Sequence, residues 1–212
     1  MFRALASPLL LLTGLIASFA AGNVRGEALD AEHSPGSMVE VRSVAVLKEL
    51  SSHRDEFRAN PEKLHSFVRQ QLDSLFDREY SARLVLGRHS RGIADDKIQA
   101  FAVALSDNLM RKYGSALLDV DPGVEVKVKS ETPLRNGKMV RVATDILRRA
   151  GAPVPVDYMF LRTKDGWRAF DVIVEGVSYV QTYRNQFDEL LRSESIDSLT
   201  TKLSSGAIDA GS

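Results

Sequence analysis

The sequence predicts an α+β fold: helices first, then a four-stranded antiparallel sheet, then helices again. Two changes of hydrophobic period support this. Apolar residues recur at helical spacing up to about residue 114, alternate with polar residues between 124 and 175, and return to helical spacing after Gly176. Helices and strands that follow one another in separate blocks are typical of one sheet covered by helices. We find no internal repeat and no linker long enough to divide the chain.

Four helices are predicted in the first half of the chain. The first spans 38–50, where Val41, Val44 and Leu47 form a stripe. Asn60 followed by Pro61 is typical of a helix start, because asparagine caps the first turn and proline is tolerated at its first position.

An apolar stripe at i, i+3, i+4 and i+7 spacing follows that start and reaches Phe76, with Gln71 its one polar break. A short helix is predicted at 80–86, ending at Gly87. A longer one, capped by Asp95 or Asp96, ends near Gly114.

Four strands are predicted after residue 123. Valines at 124, 126 and 128 alternate with charged residues, which indicates a half-buried antiparallel strand. An Asn-Gly pair at 136–137 predicts a turn into a second strand at 139–147. The third and fourth strands are predicted at 154–162 and 167–175.

Two helices are predicted to close the fold. The first begins after Gly176 and carries Val177, Val180, Tyr183 and Phe187 on one face. The last is a short helix around Leu199, and residues 204–212 are predicted to be a flexible tail.

The third and fourth strands carry apolar residues on both faces. Val156, Tyr158 and Phe160 alternate with Met159 and Leu161 in the third strand. In the fourth, Phe170, Val172 and Val174 alternate with other apolar residues. A sheet with one wet face would show polar residues at alternate positions. Two interpretations remain open: helices on both sides of the sheet, or a face that lines an apolar cavity.

The first residues predict export. Arg3 precedes an apolar run at 9–21 that ends in small residues, the pattern of a secretory signal peptide and too short for a membrane span of about 20 residues. We therefore predict a signal peptide at 1–22, a flexible segment at 23–37 and one exported folded domain at 38–203.

Composition argues against several classes of function. With 28 basic and 28 acidic residues and a pI near 6.9, the chain lacks the basic excess of a nucleic-acid binder. It has no Cys, and its four His show no HExxH pattern, so we predict no metal site. Nucleotide-binding loops and a G-x-S-x-G elbow are also absent, and we predict no cofactor and no catalytic residue.

The C-terminal half resembles the MlaC family, also called toluene-tolerance periplasmic proteins. The segments that carry the resemblance are VPVDY at 154–158, GWRAFDVIVEGVS at 166–178, YRNQF at 183–187, LLR at 190–192 and IDSL at 196–199. Shorter similar segments in the helical half are LFD at 75–77, AR at 82–83, VLG at 85–87 and YG at 113–114. Two positions depart from the family pattern: Met159 replaces a basic residue and Phe170 replaces a tyrosine.

The resemblance implies a soluble periplasmic carrier. Such a carrier shuttles diacyl phospholipid between the outer-membrane Mla lipoprotein complex and the inner-membrane Mla ABC transporter. It also implies a curved sheet and helices that enclose an acyl-chain pocket, on an NTF2-like or MlaC-like scaffold. A shuttle that diffuses freely is expected to be a monomer.

The resemblance, together with apolar side chains beyond the needs of one core, predicts a set of lipid-binding residues. The expected lining is Leu84, Phe101, Leu105, Met139, Met159, Leu161, Val172, Val174, Val177 and Val180, with Tyr183 and Arg184 near the mouth.

Two other functions remain alternatives. A small-molecule enzyme on the same scaffold would use Asp157, Asp171 or Tyr158 as acid or base. A periplasmic adaptor that binds proteins and no lipid would have a closed interior and an exposed apolar patch.

Overall fold

Seven α-helices and five strands occur in the computed structural model, which describes residues 34–121 and 123–210. The helices are α1 (Pro35–Ser52), α2 (Arg54–Ala59), α3 (Pro61–Leu75), α4 (Arg78–Leu86), α5 (Asp95–Tyr113), α6 (Tyr179–Leu190) and α7 (Ile196–Ser205). The strands are β1 (Glu125–Leu134), β2 (Met139–Leu147), β3 (Val154–Thr163), β4 (Gly166–Val174) and β5 (Val177–Ser178). Short 3₁₀ turns follow α4 and α5. The predicted signal peptide at 1–22 lies outside the described residues.

The strands form one antiparallel meander in the order β1-β2-β3-β4-β5. The α+β class and the antiparallel sheet are confirmed, but the sheet has five strands where the sequence predicted four. The fifth strand arises because Glu175 and Gly176 both have positive φ, +50° and +83°. Two such residues form the tight turn that suits a hairpin, so Val177 pairs back onto Val174 instead of starting the helix.

The predicted helix starts agree with the structure at Asn60, whereas the start of α4 and the cap of α5 differ from the predicted ones. Asn60 accepts a hydrogen bond from the Lys63 amide at 3.3 Å, as its spacing predicted. Asp77 caps α4 and sets its start two residues before the predicted one. Neither Asp95 nor Asp96 caps α5, because the capping position belongs to Ala94, which makes no side-chain bond.

The described chain is packed beyond both predicted domain boundaries. Helix α1 already begins at Pro35, where the Ser34 side chain caps it. At the other end, Ala210 is fully buried and its amide donates to Asn108 Oδ1 at 2.9 Å. The Asn108 amide group in turn donates to the carbonyls of Leu203 and Ile208 at 3.0 and 2.8 Å. Residues 204–210 therefore belong to the fold, in contrast to the predicted flexible tail.

The buried apolar residues form three separate cores. The helical core joins α4, α5, α6 and α7 and includes Val85, Phe101, Leu105, Tyr183, Phe187 and Leu199. The sheet core lies between α1 and one face of the sheet and includes Met38, Val142, Val156, Tyr158 and Val172. The N-terminal core packs α1, α2 and α3 against the end of α5 and includes Leu50, Phe57, Val68 and Met110.

A bulge in β4 changes which residues share a sheet face. Met159 pairs with Asp171 and Phe160 pairs with Ala169, which leaves Phe170 as the extra residue. Ala169, Val172 and Val174 therefore face the sheet core together, and Phe170 does not join them as the alternation predicted. The Phe170 ring instead contacts Tyr80 edge-on, with the ring centroids 5.3 Å apart.

The outer face of the sheet is half-exposed and carries ion pairs. Arg141 binds Asp157, and Lys129 binds Asp145. Met139, Met159 and Leu161 lie among these charges and are half-buried. The second apolar face of the strands is therefore explained by partial burial. Among the described residues, no helix has the length and apolar character that a membrane span requires.

We predict that Phe101→Ala lowers the free energy of unfolding by about 3–5 kcal/mol. Phe101 is fully buried and contacts Phe187 edge-on, with centroids 5.9 Å apart, so its removal leaves a cavity in the helical core. Val103→Ala on the same helix is the control, because Val103 is 40% exposed and should change the value by no more than about 0.5 kcal/mol. Urea unfolding measures both, and equal losses would contradict this account of the core.

Candidate functional site

An apolar cavity lies where the three cores meet, between α3, α4, α5, α6 and the edge of β4. Its empty space is about 970 Å³ when counted out to the open solvent at its mouth, and the centre of a water molecule can occupy about 160 Å³ of this. The smaller value is the one to compare with ligand pockets, which typically measure about 300–1,000 Å³, and it lies below that range. Most of the wall is carbon, including Val68, Leu72, Val85, Leu105, Leu109, Met110 and Val172. The interior is open, which disagrees with the closed interior of an adaptor.

The cavity lies beside the edge of β4 that faces away from β3, and another strand pairs with only part of this edge. Strand β5 pairs with Ile173 and Val174 alone, so the rest of that edge binds the start of α4. The Asp77 amide donates to the Ala169 carbonyl at 2.9 Å. The Ser81 hydroxyl is 2.8 Å from the Phe170 carbonyl and donates to it. These bonds hold α4 against the sheet edge while α3, α5 and α6 leave a space beside it.

Small side chains keep that space open. Ala82 lines the cavity from α4, and Ala102 and Ser106 line it from α5. The Ser106 hydroxyl donates to the Ala102 carbonyl at 2.8 Å, so it is bonded within its own helix. Larger residues at these positions would close the gap between the helical core and the sheet.

Asp171 brings a carboxylate to the wall and fixes the start of α6. Ser178 Oγ donates to Asp171 Oδ2 at 2.6 Å, and the Val180 amide donates to Oδ1 at 3.0 Å. Burial raises the pKa of this carboxyl above its ordinary value, and the bonds from Ser178 and the backbone oppose that rise.

Arg78 brings a cation to the same wall. It is the basic residue among the described lining residues, and its guanidinium binds Asp73 at 2.6 Å. The Arg78 side chain remains 27% exposed, so part of it meets solvent.

Four of the twelve residues predicted from sequence line the cavity: Leu105, Val172, Val180 and Tyr183. The other eight do not. Phe101 lies in the helical core, Val174 in the sheet core, and Met139, Met159 and Leu161 on the outer face of the sheet. Leu84 is half-buried on α4, and Val177 is 56% exposed in the hairpin.

Arg184 lies outside the cavity wall. Gly87 has a positive φ of +55°, and a Cβ there would be 2.8 Å from Arg184 Nε, so this side chain passes directly over the glycine backbone. Arg184 lines a separate polar depression together with Arg88, Asp188 and Arg192.

The structure also adds wall residues that the sequence analysis did not select. Val68, Leu72 and Phe76 come from α3 and its end, and Leu109, Met110 and Tyr113 come from α5. Several belong to the helical stripes found in the sequence. Their spacing identified a buried face, but it gave no sign that this face meets an empty space.

The candidate acid and base residues do not form a common site. Asp157 binds Arg141 on the outer face of the sheet, whereas Tyr158 lies on the opposite face in the sheet core. Burial raises the pKa of the Tyr158 hydroxyl, which has no hydrogen-bond partner among the described residues. Asp171 alone reaches the cavity. The described residues also contain no group of three His, Cys, Asp or Glu able to hold a metal ion.

Residues 41–205 match the family model described as MlaC protein. The chain belongs to the MlaC family. It is 22% identical over 180 residues to the intermembrane phospholipid transport system binding protein MlaC of Haemophilus influenzae, covering 84% of each chain. It is 24% identical over 169 residues to the toluene tolerance protein ttg2D of Pseudomonas putida, covering 79% of this chain and 77% of that one.

The fold of this MlaC family member also occurs among solved structures. A phospholipid-binding protein from Ralstonia solanacearum, solved in complex with a phospholipid, superposes with a TM-score of 0.72. The match covers 81% of this chain and 95% of the other, at 22% sequence identity.

We predict that the stabilising effect of Asp171 decreases as the pH rises. Because its pKa is raised above 3.8 in the folded state, the folded protein holds this proton more tightly than the unfolded chain. The resulting stabilisation is complete below about pH 3.8 and is lost as the pH passes through the folded pKa. The free energy of unfolding of the wild type minus that of Asp171→Asn should therefore fall with rising pH.

Urea unfolding of both proteins over a pH series measures this difference. Asp96→Asn, at an exposed carboxylate on α5, is the control for changes in surface charge. A difference that rises with pH would contradict the raised pKa.

Proposed function

We propose that this protein is a soluble periplasmic phospholipid carrier that holds acyl chains in the cavity between the helices and the edge of β4. The observation that carries the proposal is an open cavity with a mainly carbon wall, at the junction of three cores, in a member of the MlaC family. The Haemophilus influenzae relative and the phospholipid complex of similar fold support a phospholipid as the ligand.

The energetic need for such a cavity is large. Exposing hydrocarbon to water costs about 0.8 kcal/mol per CH₂ group, so a tail of about 16 carbons costs on the order of 12 kcal/mol. Contact with a wall of branched and flexible side chains offsets this cost, and such a wall accepts acyl chains in more than one conformation. Val172, Leu105 and Met110 provide such a surface on three sides of the cavity. The transfer of a lipid needs no covalent step, so the proposal assigns no catalytic residue.

Within this proposal, the headgroup remains at the mouth, with its phosphate near Arg78. A buried phosphate without a partner would be costly. The Arg78 guanidinium offers further N–H donors beyond its bond to Asp73, and its partial exposure allows the phosphate to keep water on one side. This assignment replaces Arg184, which lies over Gly87 outside the wall.

The wider cycle is also part of the proposal. The carrier would receive or deliver lipid at an outer-membrane Mla lipoprotein complex and an inner-membrane Mla ABC transporter complex. It would reach the periplasm through a cleaved signal peptide at 1–22 and act as a monomer. The name of the Haemophilus influenzae relative supports transport between membranes.

We predict that protein exported in a lipid-containing host and purified without detergent carries phospholipid, which mass spectrometry of a solvent extract identifies. Leu105→Asp should abolish this retention, because it places a charge against the acyl chains. Ser106→Trp should also reduce it, by filling the space without adding a charge. Leu161→Asp is the matched control on the outer sheet face, where it pairs with Met139 and Arg168, and it should keep the lipid.

Circular dichroism establishes that each of these variants is folded. A wild-type protein without lipid would overturn the carrier proposal. Full lipid content in a folded Ser106→Trp variant would place the chains elsewhere.

We predict that Arg78→Gln weakens binding of phosphatidylglycerol, because it removes the charge that faces the phosphate. The loss should be about 10-fold, since a hydrogen bond to a charged group contributes about 1.5–3 kcal/mol. Titration with the lipid measures it, with Arg184→Gln as the matched control that keeps wild-type affinity. Equal losses in both variants would contradict the assignment of Arg78.

A further inference from the structure

Three tyrosine hydroxyls in the cavity wall have no hydrogen-bond partner among the described residues. Tyr113, Tyr179 and Tyr183 all line the cavity. Ser81 and Ser106 donate to backbone carbonyls, and Asp171 accepts from the start of α6. Arg78 binds Asp73 and keeps further N–H donors, but it is charged. The tyrosines therefore supply the unused neutral donors of the site.

The fold brings these three side chains together from two helices. Tyr113 is the last residue of α5, and Tyr179 and Tyr183 lie one turn apart at the start of α6. The ring centroids of Tyr179 and Tyr183 are 6.0 Å apart. Tyr183 is only 5% exposed, and its ring stacks on Phe187 at 6.3 Å, which fixes its direction.

The hydroxyls of Tyr179 and Tyr183 remain protonated at neutral pH. Burial raises the pKa of Tyr179 to about 12, and the neighbouring Tyr113 and Glu175 add to the rise. Burial raises the pKa of Tyr183 as well, with contributions from Tyr113 and Tyr179. At neutral pH Tyr179 and Tyr183 are therefore neutral O–H donors, and Tyr113 is near enough to both to contribute to their raised pKa.

Hydrocarbon cannot accept these hydrogen bonds. A hydroxyl that loses water to an acyl chain without gaining a partner leaves its desolvation cost uncompensated. Three of them in an otherwise apolar wall would oppose the entry of a ligand made only of CH₂ groups. A ligand that carries neutral acceptors beside its hydrocarbon would convert this cost into binding energy.

We propose that Tyr113, Tyr179 and Tyr183 form a binding site for the ester carbonyl oxygens of a diacyl lipid. This inference rests on the proposed carrier function and defines its ligand further. The ester carbonyls are the first atoms of the acyl chains, so they enter an apolar cavity together with the tails. A phosphate would be a poorer fit for this site, because neutral donors in a buried wall do not offset its charge.

The site makes the carrier selective for ester-linked over ether-linked lipid. An ether lipid has the same tails, glycerol and headgroup but lacks the two carbonyl oxygens. It keeps only the two ether oxygens, which are weaker acceptors and lie in the chain itself, so the tyrosine hydroxyls would lose their carbonyl acceptors. With about 1 kcal/mol for each net hydrogen bond, two bonds correspond to a preference of about 30-fold.

The test is a competition between the two linkages. Delipidated full-length mature protein is incubated with vesicles of dipalmitoyl-phosphatidylglycerol and its di-O-hexadecyl ether in equal amounts. After separation from the vesicles, mass spectrometry gives the ratio of ester to ether lipid that is bound. We expect a ratio of at least about 10 for the wild type and a ratio near one for the Tyr113→Phe/Tyr179→Phe/Tyr183→Phe variant.

Tyr80→Phe is the matched control. Tyr80 is a half-buried tyrosine against Phe170 that does not line the cavity, so this variant should keep the wild-type ratio. The single Tyr183→Phe variant, which removes one oxygen and no packing volume, should show an intermediate ratio.

The outcomes separate this inference from the carrier function. A wild type that binds both lipids equally would overturn the tyrosine site and leave the carrier proposal intact. A triple variant that folds and keeps the wild-type ratio would also overturn the site. A wild type that binds neither lipid would overturn the carrier function itself.

Discussion

The structure depends on how the helices attach to the edge of β4. Strand β5 covers only two residues of that edge, so the remaining backbone groups need partners from elsewhere. The first turn of α4 supplies them through the Asp77 amide and the Ser81 hydroxyl, and Asp171 holds the start of α6. Because these are fixed polar bonds at a strand edge, the helical layer cannot slide onto the sheet. The three cores stay separate, and the cavity is the space between them.

This arrangement has an energetic consequence. A space that no side chain fills forfeits packing energy, and protein stability is a small difference between large terms. A ligand that binds only the folded state restores part of that loss by mass action. A mainly apolar ligand with a few polar atoms fits this cavity best. The carbon surface of the wall is interrupted by Arg78 and three tyrosines, and these residues keep hydrogen-bond donors that the fold does not use.

Much of the fold could be predicted from the sequence, because its elements depend on local patterns. The stripe after Pro61 gave α3, and the Asn-Gly turn and the alternation of valines gave the strands. The missed elements are short: α2 has six residues and β5 has two, too few to show a period. The sequence analysis also missed the bulge at Phe170. One extra residue moves a side chain to the other face of the strand, and the alternation of apolar residues does not show where this happens.

The sequence by itself determined the α+β class, the order of its helices and strands, and membership of the MlaC family, because these depend on periodicity and on motifs. Only the tertiary structure decided which apolar residues surround the cavity. Leu105 and Phe101 lie one turn apart on the same helix and both belong to the helical core, yet only Leu105 also lines the cavity. The reason is physical: a hydrophobic period identifies the face that leaves water, but what that face meets depends on distant segments of the chain.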